Sequence, residues 1–161
     1  MKFSAQEEYG LRCLLAIAKQ ASESGVTIPE IARAEGLSQP HAAKLLGILR
    51  REGFVLSTRG QLGGYALARD PSRIVVADVL TALGGRMFEA GFCERHTGVF
   101  DECTHEIDCS LRSLWREVQN SIDQVLRKVT LKDLMDRKTD PEDRIIFQAA
   151  PPPRLARGGK A

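Results

Sequence analysis

Apolar residues at Leu11, Leu14, Leu15, Ile17 and Ala18 recur in steps of three and four, so one helical face is buried and a first helix is predicted over residues 5–20. Glu23-Ser24-Gly25 breaks that pattern. Thr27 then precedes Ile28-Pro29-Glu30, with proline near a helix start where a missing N–H costs nothing, and a short helix over about 28–34 follows. Glu35-Gly36-Leu37-Ser38 reads as a tight turn, Gly36 suiting a left-handed terminus and Ser38 a cap. The next helix runs from Gln39 to about Glu52, with Leu45, Leu46, Ile48 and Leu49 inward, and Gly53 stops it. The period then changes to alternation: strands at 54–58 and 65–68 flank the glycine-rich segment 59–64, which is a β-hairpin.

Asp70-Pro71 closes the hairpin, a short strand is expected around Ile74–Val76, and a helix from there to Leu83 ends at Gly84-Gly85. Residues 86–109 carry no sustained period. From Ser110 the helical pattern returns for about 20 residues through Leu111, Leu114, Trp115, Val118, Ile122, Val125, Leu126 and Val129, which is long for so small a core and predicts packing on a second copy. Thr130 opens a short final helix, and the proline-, glycine- and arginine-containing remainder reads as a disordered basic tail. The expected fold is mainly α with a small β-hairpin wing. Its parts are a winged helix-turn-helix over 1–84, a cysteine loop over 85–109, a dimerisation helix and short terminal helix over 110–135, and the tail over 136–161.

At 161 residues, 43% hydrophobic and 27% charged, with a mean hydropathy of −0.20, the chain is in the range of soluble globular domains long enough to bury a core. No apolar run approaches the roughly 20 residues of a membrane span, and Glu7, Glu8 and Arg12 interrupt any signal-like start, so a cytoplasmic protein is expected. The net charge of +2 is unevenly spread: residues 1–70 are basic, and residues 85–145 hold thirteen acidic against ten basic residues. Two regions with two jobs follow.

Helix, glycine turn, helix and adjoining hairpin is the order of a winged helix-turn-helix, whose second helix enters the major groove of DNA. The chemistry suits that role. Ser38, Gln39, Pro40 and His41 open the second helix: a glutamine amide bonds an adenine edge, serine and histidine are adaptable donors, and proline touches a thymine methyl. Lys44 and Arg51 suit phosphates, while Arg59 at the hairpin tip, with Gln61 beside it, suits a minor groove.

Cys93, Cys103 and Cys109 place three soft thiols within 17 residues, a set that favours zinc, cuprous ion or an iron–sulfur cluster over hard cations. A closed site needs a fourth ligand. His96 and His105 would complete a zinc Cys3His set, although the spacing is not that of a zinc finger, so zinc and cluster both stand on spacing alone. Cys13, in the first helix, reads as a small buried hydrophobe, and Phe92 and Trp115 as core or dimer contacts.

Tyr9-Gly10-Leu11-Arg12, Ile28-Pro29-Glu30-Ile31-Ala32, the wing from Ser57 to Leu67, Asp78-Val79-Leu80, the cysteine loop and Thr130-Leu131-Lys132-Asp133-Leu134 together resemble the IscR-like family of bacterial winged-helix, iron–sulfur-cluster-dependent regulators. The resemblance spans about residues 1–135. It implies a homodimeric repressor crossing two long helices on a palindromic operator, with a cluster on Cys93, Cys103 and Cys109. Two departures stand out. The nine-residue first gap is longer than usual, and Arg112 occupies a position that is histidine in some members and cannot ligate. Other members, notably nitric-oxide sensors, use a partner carboxylate at the position matching Glu8, which makes Glu8 the first candidate for the fourth ligand and His105 the second. By the same resemblance a four-iron cluster is favoured over a two-iron one.

Other classes have less behind them. No phosphate-binding glycine loop, nucleophile–base pair or dinucleotide fingerprint points to an enzyme. A winged dimer switched by thiol/disulfide chemistry, or holding structural zinc, shares every feature except the cluster. A small electron-transfer protein would keep the cluster and lack salt-dependent DNA binding.

Overall fold

Helix α1 (Ala5–Lys19) starts at Ser4, whose hydroxyl accepts from the Glu7 N–H at 3.2 Å while the Glu7 carboxylate accepts from the Ser4 N–H at 2.7 Å. This reciprocal cap satisfies two of the N–H groups that a helix start leaves unpaired. The computed structural model describes residues 3–20, 25–58, 63–89, 91–97, 99 and 109–137. Helix α2 (Ile28–Glu35) repeats the device with Thr27 and Glu30 and carries Pro29 in its first turn. Gly36 follows at φ 66°, the left-handed conformation that ends a helix without a Cβ penalty, and Leu37 N–H returns to the Ala32 carbonyl at 2.8 Å. Ser38 caps helix α3 (Gln39–Arg51).

Strands β1 (Val55–Thr58) and β2 (Gly64–Leu67) pair antiparallel, Val55 opposite Leu67 and Thr58 opposite Gly64. Val26, just ahead of α2, exchanges two backbone hydrogen bonds with Tyr65 at 2.9 and 2.8 Å, which ties the wing to the helix-turn-helix. The hairpin expected from alternation is therefore present, with its tip, residues 59–62, outside the described residues.

The strand expected around Ile74–Val76 does not form. Pro71–Arg73 is a single 3₁₀ turn, capped by the Asp70 carboxylate, and Val75 makes only an isolated bridge to Thr130. The reason is local: Thr130 is the cap of helix α6 (Leu131–Asp136), so its side of the ladder turns helical at the next residue. The bridge still matters. Helix α4 (Val76–Gly84) has no side-chain cap, and its first N–H is taken by the Val129 carbonyl at 2.9 Å, while Leu131 N–H donates to the Ile74 carbonyl at 2.8 Å.

One core unites these pieces. Leu14, Ile17, Ile31, Leu45, Leu46, Leu49, Val55, Ile74, Val79 and Leu131 are fully buried, each contributing about 1.5–3 kcal/mol from burial. The α1–α4 seam is close: a Cβ on Gly10 would lie 2.5 Å from both Leu83 methyls, and one on Gly84 would meet the Glu7 side chain.

Helix α5 (Ser110–Leu126) projects away from that core. Among its residues only Gln119 is buried, and Leu111, Leu114, Trp115 and Val125 remain 58%, 47%, 40% and 64% exposed. The tail beyond Arg137 lies outside the described residues. Among the described residues, no helix is long and apolar enough to cross a membrane.

Candidate nucleic-acid interface and cysteine loop

Helix α3 divides cleanly into two faces. Ala42, Leu45, Leu46 and Leu49 are buried, whereas Ser38, Gln39, Pro40, Lys44, Arg50 and Arg51 are exposed. Pro40, Lys44 and Arg51, four and then seven residues apart, share one stripe. None of Lys44, Arg50 and Arg51 has an ion-pair partner among the described residues, which leaves three cations unneutralised on the helix. His41 differs from the expectation of a free outward side chain: it is half-buried, its ring edge-on to Tyr9 of α1 with centroids 5.7 Å apart. Arg59 and Gln61 lie outside the described residues.

Helix α1 also braces the turn. Arg12 donates through Nε to the Glu35 carboxylate at 2.7 Å and through Nη2 to the Glu35 carbonyl at 3.2 Å, and its guanidinium sits 5.3 Å from the Tyr9 ring centre. The Glu35 hydrogen bond raises the already high Arg12 pKa, with a smaller contribution from Glu8. Sequence periodicity did not reveal Tyr9, Arg12 or Glu35 as a unit, because they belong to two helices.

The cysteine loop leaves the core at Gly85, whose φ of 79° favours glycine. It is tied at once to α5. The Arg86 guanidinium pairs with Asp123, and the Phe88 N–H donates to Gln119 Oε1 at 3.0 Å. Gln119 in turn donates to Asp123 at 2.8 Å, so the one buried polar side chain among the described residues has both ends occupied. Phe92 stacks on His96 at 4.3 Å and tilts against Phe88 at 5.2 Å. His96 Nδ1–H donates to the Phe92 carbonyl at 2.7 Å.

Cys93 and Cys109 are half-buried free thiols. Cys109 is the N-cap residue of α5, and Cys93 shares with Arg112 a cavity of about 330 Å³. Cys13 is fully buried, as expected, and burial pushes its thiol up to about 11. Cys103 and His105 lie outside the described residues. Among the described residues no three His, Cys, Asp or Glu side chains are grouped to hold a metal ion. Glu8 is exposed and does not line the Cys93 cavity of its own protomer; it borders an apolar groove of about 280 Å³ with Leu11, Leu80, Val125 and Leu134.

A helix-turn-helix with a pinned hairpin wing and a helical arm carrying thiols at its root defines a winged-helix transcriptional regulator. The family model described as Rrf2, iron-dependent transcriptional regulator, matches residues 3–137, and the chain belongs to that family. It is 36% identical over 135 residues to the protein rrf2 of Nitratidesulfovibrio vulgaris, covering 84% of this chain and 87% of the relative. Among solved structures it is similar to CymR, the global cysteine regulator of B. subtilis, at 28% identity and a TM-score of 0.68, covering 86% and 99% of the two chains. It is also similar to T. potens IscR, at 32% identity and a TM-score of 0.64, covering 94% and 93%. The resemblance read from the wing and loop motifs therefore holds at the level of the family, which comprises DNA-binding transcriptional regulators.

Proposed function

We propose that this chain is a homodimeric repressor whose binding to a palindromic operator is controlled by an iron–sulfur cluster on Cys93, Cys103 and Cys109, with Glu8 of the partner subunit as the fourth ligand. The observation that carries the reading is the free thiol of Cys93 in one cavity with Arg112 of the first turn of α5, the helix that Cys109 precedes and whose apolar face is bare. The donor chemistry is compatible: thiols are soft ligands, and Arg112, whose shielded Nε has no hydrogen-bond partner among the described residues, lines the cavity together with Cys93, Glu89 and Glu94. A cluster held there by three thiolates and a carboxylate would supply an iron that exchanges readily with nitric oxide, oxygen or other small reactants.

The chain's own residues supply the coupling. Glu8 adjoins Tyr9, Tyr9 packs on His41 at the start of α3, and Arg12 holds the end of α2. A shift of α1 at Glu8 is transmitted to the helix that reads DNA. Ser38, Gln39, Pro40 and His41 read base edges, Lys44 and Arg51 take phosphates, and Arg59 with Gln61 enters the minor groove. Leu111, Leu114, Trp115 and Val125 are covered by the partner's α5.

The test is anaerobic purification with iron, sulfide and zinc quantified per protomer, followed by operator binding with and without the cluster over a salt series. Equal iron and sulfide, with operator affinity that changes on cluster loss, is the expected result; equal affinity of the two forms overturns the reading. Leu114→Glu should give monomers by sedimentation with helix content retained. The likeness to CymR favours a second reading, a metal-free thiol switch on the same dimer, and purified protein without metal whose operator binding responds to oxidation would establish it.

A further inference from the structure

Alanine is the residue a helix interior favours most, and glycine, proline aside, the one it favours least, because glycine gives up the most backbone freedom on folding. Gly47 nevertheless stands in the middle of α3. Other glycines of the chain have a local reason: Gly36 and Gly85 hold a positive φ, and a Cβ on Gly10 or Gly84 would lie 2.5 Å from its nearest neighbour. Gly47 has neither. Its backbone is ordinary helix, and a Cβ there meets nothing within 4 Å. The packing of the protomer therefore does not account for it, and its open side is the outward face of the helix, opposite the buried Ala42, Leu45, Leu46 and Leu49. Lys44 precedes it by three residues, and Arg50 and Arg51 follow it by three and four, so all three flank the bare position within one turn. Each is exposed, none has an ion-pair partner among the described residues, and α3 contains no acidic residue. The surface around Gly47 thus suits a polyanion.

We infer that Gly47 is a positioning residue for DNA: the sugar–phosphate backbone of the duplex closes directly on its Cα, and the missing side chain lets Lys44 and Arg51 reach phosphates on either side of that contact. This rests on α3 being the helix that enters the groove. A helix with its side chains is about 10–12 Å across and the major groove is about 12 Å wide, so single methyl groups decide how deeply the helix sits. A Cβ at Gly47 would hold α3 off the duplex, and the attraction of each flanking cation for its phosphate falls as the separation grows. Glycine at this position lowers the stability of the helix and deepens its seat on DNA.

The experiment compares full-length wild-type protein, Gly47→Ala and Gly47→Leu, purified anaerobically, on a duplex that the wild-type protein selects from a random-sequence pool. Urea unfolding gives the stability of each, and binding is titrated over a salt series. Gly47→Ala should unfold at higher urea and yet bind the duplex about tenfold more weakly. Gly47→Leu should lose about a hundredfold, with a salt slope shallower by roughly one phosphate contact because its cations are held away. A gain in stability joined to a loss of binding is a combination that a merely structural role does not produce. Affinity and salt slope unchanged in both variants overturn the inference and leave α3 as the DNA-reading helix, and so does a Gly47→Ala protein that unfolds at lower urea. Wild-type protein that selects no duplex overturns the placement of α3 on DNA and this inference with it.

Discussion

Adding one methyl at Gly10 should destabilise the protein or stabilise it according to what stands at residue 83. In the native chain the new Cβ of Gly10→Ala lies 2.5 Å from both Leu83 methyls and 3.1 Å from its Cγ. Leu83 is 3% exposed and faces the core, so it cannot swing into solvent, and overpacking of this kind costs about 1–3 kcal/mol. Alanine regains about 0.8–1.0 kcal/mol of helix propensity relative to glycine. The net is a loss of about 1 kcal/mol. Leu83→Ala alone should cost about 2–5 kcal/mol through the cavity it leaves. In that background the colliding atoms are gone, so Gly10→Ala should stabilise by about 1 kcal/mol. The cycle therefore predicts a coupling of about 2 kcal/mol with a change of sign. Urea unfolding of the four proteins, at one protomer concentration because dimerisation would add to stability, measures it. If Gly10→Ala moved the midpoint by the same amount in both backgrounds, the seam would not be packed as described and the root of the cysteine loop would not be braced by α1.

Gly47 is the counterpart within α3: a Cβ there meets nothing within 4 Å, so Gly47→Ala should raise stability by about 0.5–1 kcal/mol in the same urea assay, and any loss would contradict the open surface. Burial raises the Cys13 thiol from an ordinary 9.0 to about 11, and the folded state thus retains a proton that the unfolded chain releases. That contribution is fully present below pH 9 and is lost as the pH rises towards 11. The stability advantage of wild type over Cys13→Ala should therefore shrink between pH 8 and 10.5, and a constant difference would show the thiol to be more accessible than it is here.

The reach of sequence reasoning followed the distance between interacting residues. Thr27, Ser38, Thr130 and Gly36 act through neighbours three to five positions away, and each was legible as a helix start or stop. The hairpin was legible because alternation and its glycine-rich turn are local too. The expected strand at Ile74–Val76 failed because its one partner, Thr130, is remote and committed to a helix. Gln119 was not singled out by the sequence pattern, because the N–H that its buried amide accepts comes from Phe88, 31 residues away. Cys93 and Cys109 were read as a set with Cys103, which lies outside the described residues; the orphaned Nε of Arg112 was not legible, since nothing in the spacing tells a shielded guanidinium nitrogen from a solvated one.

Two backbone hydrogen bonds, Val76 to Val129 and Leu131 to Ile74, join the point where α4 begins to the point where α6 begins. The intervening chain, α4 in the core and then the cysteine loop and α5, is closed by these two bonds at its ends. Its loop closure is therefore secured by the core itself and depends on no feature of the loop. Such an arm is a cassette: its length and its exposed surface can be exchanged while the DNA-reading unit keeps its hydrogen bonds and its register. One DNA-binding frame is in this way free to answer to different signals.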